Sequence, residues 1–203
     1  MSTVEHPMPL SGHLALQTLW LALPVICGGL LHVGAMRMGL LRTLARVPLD
    51  GGLTLRGRRL FGENKTLRGA LFMIGATAAC AVVQRWLEAN TPWARDLSLI
   101  IDDVPDAAAW GALLGAGYVL GELPNSVLKR QLDIAPGGAG RGWLGPVFWL
   151  VDQLDSLAGV LLVMPLAWRP PWAVALMLVA VTLAVHPAVA LIMVALGLKQ
   201  RVG

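Results

Sequence analysis

The sequence predicts an all-α integral membrane protein of about five transmembrane helices, and three observations lead there. Only 14% of its 203 residues are charged while 56% are hydrophobic, against roughly 25% charged in an ordinary soluble domain. Several apolar runs reach about 20 residues, enough to cross a hydrocarbon core as a helix. Backbone groups cannot stay unpaired in lipid, so such runs must be helical. The basic residues, finally, gather in alternate connections, as the orientation rule for membrane proteins requires. Residues 1–203 read as a single transmembrane domain with no room for a separate soluble one.

Hydropathy places the spans at about Leu14–Met36, Leu67–Leu87, Ala107–Leu120, Pro146–Trp168 and Trp172–Leu198. Pro24 is an expected kink in the first. Trp20, Trp86, Trp110, Trp149, Trp168 and Trp172 fall mostly near span ends, where an amphipathic ring suits the interface. Residues 1–12 carry no Lys or Arg, so the first run reads as a retained span rather than a signal peptide.

The third span is short, and charge supplies the check. With five spans, Arg37, Arg42, Arg46, Arg56, Arg58, Arg59, Lys65, Arg68, Lys129, Arg130, Arg141, Lys199 and Arg201 share one side, 13 of the 16 basic residues. If the third span did not cross, the last five would move over and the bias would vanish. The expectation is therefore an N-terminus outside and a C-terminus in the cytosol. The sequence pI near 9.7 then reflects topology, and no nucleic-acid partner is expected.

Gly111, Gly115, Gly117 and Gly121 form two small-xxx-small pairs on the third span. They either bring helices close or merely relax a short helix. Asp96, Asp102, Asp103 and Asp106 read as a solvated outer loop. Cys27 and Cys80 lack metal or disulfide spacing and read as small core residues. His6, His13, His32 and His186 are scattered, and no zinc site is expected.

Three polar clusters fall on the cytosolic side. The first is Gly62-Glu63-Asn64-Lys65-Thr66-Leu67-Arg68-Gly69, with two cations three apart at a helix start, where backbone N–H groups can meet an anion. It is not a P-loop, since Glu63 and Asn64 precede the Lys and no strand leads in. Topogenic charge is the competing reading. The second is Gly121-Glu122-Leu123-Pro124-Asn125-Ser126-Val127-Leu128-Lys129-Arg130. If the chain is helical after Pro124, the Ser126 hydroxyl lies on one face with two cations, a phosphate grip; ordinary interface residues would look the same. The third is Asp152 and Asp155 inside the fourth apolar run. Three apart, they share a helix face. An acid at mid-bilayer costs on the order of 2.5–3.5 kcal/mol, so a pair needs a reason. Mg2+, which takes one or two carboxylates plus substrate phosphates, is such a reason; salt bridges above the hydrocarbon are the alternative.

In order along the chain, Asn64-Lys65-Thr66-x-Arg68-Gly69, Ser126-x-x-Lys129-Arg130 and Asp152-Gln153-Leu154-Asp155 resemble the motifs of the CDP-archaeol synthase family, CTP-dependent lipid-phosphate cytidylyltransferases related to CDP-diacylglycerol synthase. The resemblance covers nearly the whole chain. Glu122 stands where an Asp is expected, Gln153 where the bacterial relatives have Arg, and Pro136-Gly137-Gly138-Ala139-Gly140 is longer and richer in glycine than expected.

The resemblance implies a nucleotidyltransferase that takes CTP and a membrane lipid phosphate, archaetidic-acid-like or phosphatidate, to CDP-lipid and pyrophosphate. Lys65, Arg68, Lys129, Arg130, Asp152 and Asp155 would be catalytic. Asn64, Thr66, Gly69, Gly121 and Ser126 would bind substrate. Asp152 and Asp155 would hold Mg2+ as cofactor. The implied setting is a multi-pass protein of the cell membrane with its site towards the cytosol; homo-oligomers are left open. Two other classes compete. A CDP-alcohol phosphotransferase needs a second aspartate pair, which the sequence lacks. A small transporter or lipid-binding protein would show midplane polar groups and internal repeats.

Overall fold

The computed structural model describes residues 11–195 apart from 101, 105 and 139, together with residue 197. Met1, His6, the end of the fifth predicted span at Leu198, the tail cations Lys199 and Arg201, and Ala139 lie outside the described residues. In chain order the elements are α1 (Ser11–Arg37), α2 (Arg42–Ala45), β1 (Thr54–Leu55), β2 (Arg58–Arg59), α3 (Leu67–Asn90), α4 (Pro92–Leu97), α5 (Ala107–Gln131), α6 (Leu144–Val163), a 3-10 turn (Met164–Leu166) and α7 (Trp172–Ala195). The protein is a multi-pass membrane bundle of α-helices. One departure from an all-helical chain is the two-residue hairpin, in which Thr54 pairs with Arg59 and Leu55 with Arg58. Arg56 and Gly57 turn it with φ of 53° and 76°, the doubly positive geometry that suits a two-residue hairpin.

Helices α1, α3, α6 with its 3-10 extension, and α7 are long and apolar enough to cross a membrane. Helix α5 is more polar but extends beyond its apolar run, Ala107–Leu120: it has 25 residues, about 37 Å at 1.5 Å per residue. It passes through Pro124 without ending. Its start is capped by Asp106, whose carboxylate accepts from the N–H groups of Ala108 and Ala109 at 2.9 and 3.0 Å. That satisfies two of the four donors a helix start leaves unpaired.

Helix α5 sits between α3 and α6, and its glycines set both distances. A Cβ added at Gly111 would lie 2.6 Å from Ala78 Cα, and one at Gly115 would lie 2.8 Å from Ile74 Cα. On the other face, a Cβ at Gly121 would meet Asp155 O and lie 2.8 Å from Gly159 N. Both small-residue pairs therefore make close helix contacts, each with a different neighbour. As α5 ascends in number its partners on α3 and α6 descend, so it runs antiparallel to both. The apolar core, including Leu21, Trp110, Leu114, Val160, Met164 and Leu178, gathers where α5 and α7 begin and α6 ends. The opposite end of the bundle is left to the polar clusters.

The long connection between α1 and α3 is organised by Asp50, which is 3% exposed. Its carboxylate accepts from Arg59 Nη2 at 2.5 Å, from Phe61 N at 3.1 Å, from Gly62 N at 3.4 Å and from Gly52 N at 3.0 Å. The Arg59 hydrogen bond, seconded by the Phe61 and Gly52 N–H groups, outweighs burial and holds the Asp50 carboxyl well below the usual carboxylate range. Backbone bonds from Leu49 N to Lys65 O and from Leu67 N to Val47 O, 2.8 Å each, tie this connection to the start of α3. Arg58 anchors the hairpin to the end of α5 through Gln131 O and Asp133.

Candidate functional site

At the polar end, α5 and α6 bring the paired carboxylates to the second cationic cluster. Asp152 Oδ1 accepts from Lys129 Nζ at 2.6 Å and from Asn125 Nδ2 at 2.7 Å. The same Asn125 nitrogen donates to Asp155 Oδ2 at 2.7 Å, and Asp155 Oδ1 accepts from Ser156 N at 2.6 Å. One amide thus joins both carboxylates, which requires the shared helix face expected of residues three apart. Lys129 lies 5.5 Å from the centre of the Phe148 ring. Asn125, Ser126, Lys129 and Arg130 are all buried, so the charges operate away from bulk water, where they act more strongly. Asp152 is ion-paired with Lys129, whereas Asp155 accepts from neutral donors.

The first cluster approaches from α3. Lys65 pairs with Glu122 of α5. Thr66 caps α3, its Oγ1 accepting from Gly69 N at 3.3 Å, and Ser126 Oγ donates to Glu122 O at 2.9 Å. Both hydroxyls therefore also serve their own helices. Gly121 is accounted for by its contact with α6, which leaves no space for a side chain. Arg130 reaches back to the first cluster, since a Cβ at Gly62 would come within 2.8 Å of its Nη1. The Nε groups of Arg68 and Arg130 are buried with no protein acceptor. Such guanidinium donors suit a phosphate.

A cavity of about 300 Å³ opens beside these groups among α1, α3, α5 and α7, a volume within the range of small-ligand sites. Asn64, Lys65, Thr66 and Gly69 line it, together with Glu122, Tyr118, His32 and His186. An adjoining apolar cavity of about 110 Å³ shares Tyr118 and His186 and is lined by Val25, Leu157, Val160 and Met164 among others. The aspartates do not line the larger cavity; Asn125 and Glu122, three apart on α5, connect the two halves of the site. The sequence alone does not mark these two residues, Asp50, Tyr118 or the two histidines as site residues. The α5 pair had a signal, because Glu122, Asn125 and Lys129 recur at helical spacing. His32 and His186 are 154 positions apart, and only packing brings them to one cavity.

Among the described residues no group of three or more His, Cys, Asp or Glu side chains is arranged to hold a metal. The Asp152–Asp155 pair still fits Mg2+. Each offers an oxygen to a common point, and Asn125 Oδ1 beside them is a buried oxygen without a protein partner. That is a hard-oxygen donor set of the kind Mg2+ completes with substrate phosphates and water.

The family model described as CarS-like: CDP-archaeol synthase matches residues 12–202. A CDP-archaeol synthase from Halobacterium salinarum is 37% identical over 126 residues, and this match spans 62% of each chain. One from Methanopyrus kandleri is 35% identical over 143 residues, 68% of this chain and 69% of that one. One from Aeropyrum pernix is 31% identical over 183 residues, 88% of this chain and 82% of that one. The solved structure of an intramembrane enzyme for archaeal membrane lipids biosynthesis matches with a TM-score of 0.58 and 25% identity, covering 85% of this chain and 92% of the other.

Proposed function

Because the chain belongs to the CDP-archaeol synthase family, we propose that it transfers CMP from CTP to a membrane lipid phosphate, releasing pyrophosphate. An oxygen of the lipid phosphate attacks the α-phosphorus of CTP. The bond from that phosphorus to the bridging oxygen of the β-phosphate breaks, and its electron pair leaves with pyrophosphate. The nucleophile is already an anion, so catalysis needs positioning and charge stabilisation rather than a covalent intermediate.

The observation that carries this reading is the gathering of Lys65, Lys129, Arg130 and the Asp152–Asp155 pair at the polar end of the bundle, with Arg68 three residues after Lys65. Lys65 and Arg68 on one side, and Lys129 and Arg130 on the other, neutralise the phosphates and the leaving pyrophosphate. Asn64, Thr66 and Ser126 add neutral hydrogen bonds. Asp152 and Asp155 hold Mg2+, which when bound screens the negative charge on the triphosphate. The adjoining apolar cavity receives the first carbons of a lipid chain, and the 300 Å³ cavity receives polar head-group atoms. A phosphotransferase acting on CDP-alcohols is less well supported, since Asp152 and Asp155 have no second aspartate pair beside them among the described residues.

We further read α5 as a fifth span, with the site facing the cytosol. Its length, its antiparallel course between α3 and α6, and the one-sided distribution of basic residues support this. Incubation of the purified chain with labelled CTP, Mg2+ and a panel of ether- and ester-linked lipid phosphates tests the function. A CDP-lipid product is expected. CTP turnover absent with every lipid phosphate, in protein that remains folded, would defeat the proposal.

A further inference from the structure

Both lysines of the site already have carboxylate partners within the chain. Lys65 is held by Glu122, and Lys129 Nζ donates to both oxygens of Asp152, at 2.6 and 2.5 Å. Lys129 is 8% exposed. Asn125 Nδ2 closes the remaining side of the pair, 2.7 Å from Asp152 Oδ1 and 2.7 Å from Asp155 Oδ2, while its own Oδ1 has no protein partner.

The same carboxylate oxygens are the ones a divalent ion must take. If it took Asp152 and left the ammonium in place, two cations would crowd one carboxylate at short range, at a Coulombic cost. Lys129 cannot simply leave either, because a buried ammonium without an anion is costly. Asp152 is the carboxylate paired with Lys129, and Glu122 is taken by Lys65. An incoming triphosphate supplies what is missing.

We propose that Lys129 is the internal counter-ion of the metal site, exchanged for a divalent cation when the nucleotide arrives. The cation takes Asp152, a phosphate of the nucleotide takes the ammonium, and Asn125 is free to turn its unpartnered oxygen towards the cation. No covalent bond changes. Metal and nucleotide then bind with positive coupling, and the coupling is reciprocal. This rests on the reading that Asp152 and Asp155 hold the divalent ion.

The test uses the full chain in detergent with Mn2+ as probe, free ion being counted by electron paramagnetic resonance. Without nucleotide, K129M and K129Q remove the competing charge and should bind Mn2+ more tightly than the unsubstituted protein, by roughly 5–150-fold, the span of ordinary coupling energies. With CTP added, and Mn2+–CTP measured in protein-free controls subtracted, the unsubstituted protein should gain affinity and the two variants much less. Unchanged or weaker Mn2+ binding without nucleotide, in variants that retain the melting behaviour of a folded protein, overturns the exchange. The underlying reading is judged separately by placing D152N or D155N in the K129M background. Loss of Mn2+ binding there upholds the carboxylate site even if the exchange has failed; retained binding removes the site itself.

Discussion

Replacing Gly121 by alanine drives a methyl group into the backbone of α6. The new Cβ would meet Asp155 O and sit 2.8 Å from Gly159 N and 2.9 Å from Gly159 Cα. Comfortable contacts between such atoms lie near 3.5–4.0 Å, so the helices must part locally by roughly an ångström. No flexible side-chain tip is available to yield, since every nearest atom is main chain. Overpacking of this kind costs about 1–3 kcal/mol. The same displacement acts on the chemistry, because Gly121 lies one turn before Asn125, whose 2.7 Å bonds hold Asp152 and Asp155 together. An ångström of misplacement at a reacting centre can cost on the order of a hundredfold in rate. G121A should therefore melt lower in detergent and lose most CDP-lipid formation. The control is G75A on α3, where an added Cβ meets nothing within 4 Å and stability should hold or rise. If G121A matched the parent in melting temperature and turnover, the close α5–α6 contact would not be what positions the carboxylates.

Other expectations are independent of that contact. D155N should reduce turnover at least a hundredfold with little loss of stability, since the partners of Asp155 are neutral; D152N should do both, because it strands the buried Lys129, and paired turnover and melting measurements separate the two. R68A and K65A should each lower kcat by roughly 10²–10³, the scale for removing a preorganised donor, while still inserting into membranes. The Asp50 carboxyl is depressed in the folded chain, so its contribution is fully present above the unfolded value of about 3.9 and is lost as pH falls through the folded value. D50N should accordingly melt lower at neutral pH and show a shallower loss on acidification; parallel pH–melting curves for parent and variant would remove Asp50 from that role. Single cysteines at Asn90 and Gly142, after replacement of Cys27 and Cys80, should label from opposite sides of the membrane, and labelling from the same side would break the five-span reading.

Much of this protein is legible in the chain alone, because lipid leaves a sequence few choices. Apolar runs of membrane-crossing length must be helices, so the starts of α3 and α7 and the existence of the four apolar long helices follow from hydropathy, while α5 rests on a shorter apolar run and the charge bias. The i,i+3 spacing of Asp152 and Asp155 determines their common face independently of packing. Local sequence could not decide how far α5 continued: its apolar run ends near Leu120, yet the helix goes on to Gln131. Its polar last turns are supported by Lys129–Asp152, Asn125–Asp155 and Lys65–Glu122, partners 23, 30 and 57 positions away. The role of Asp50 was hidden for the same reason, since one acid in a loop shows its purpose only when four donors converge on it. Likewise His32 and His186 share a cavity because α1 and α7 are packed together. Hydropathy and helical period are properties of neighbours in sequence, so they predict elements and faces. Which charge neutralises which is settled by the distance between faces, and here that distance is set by glycines that let α5 lie against α3 and α6.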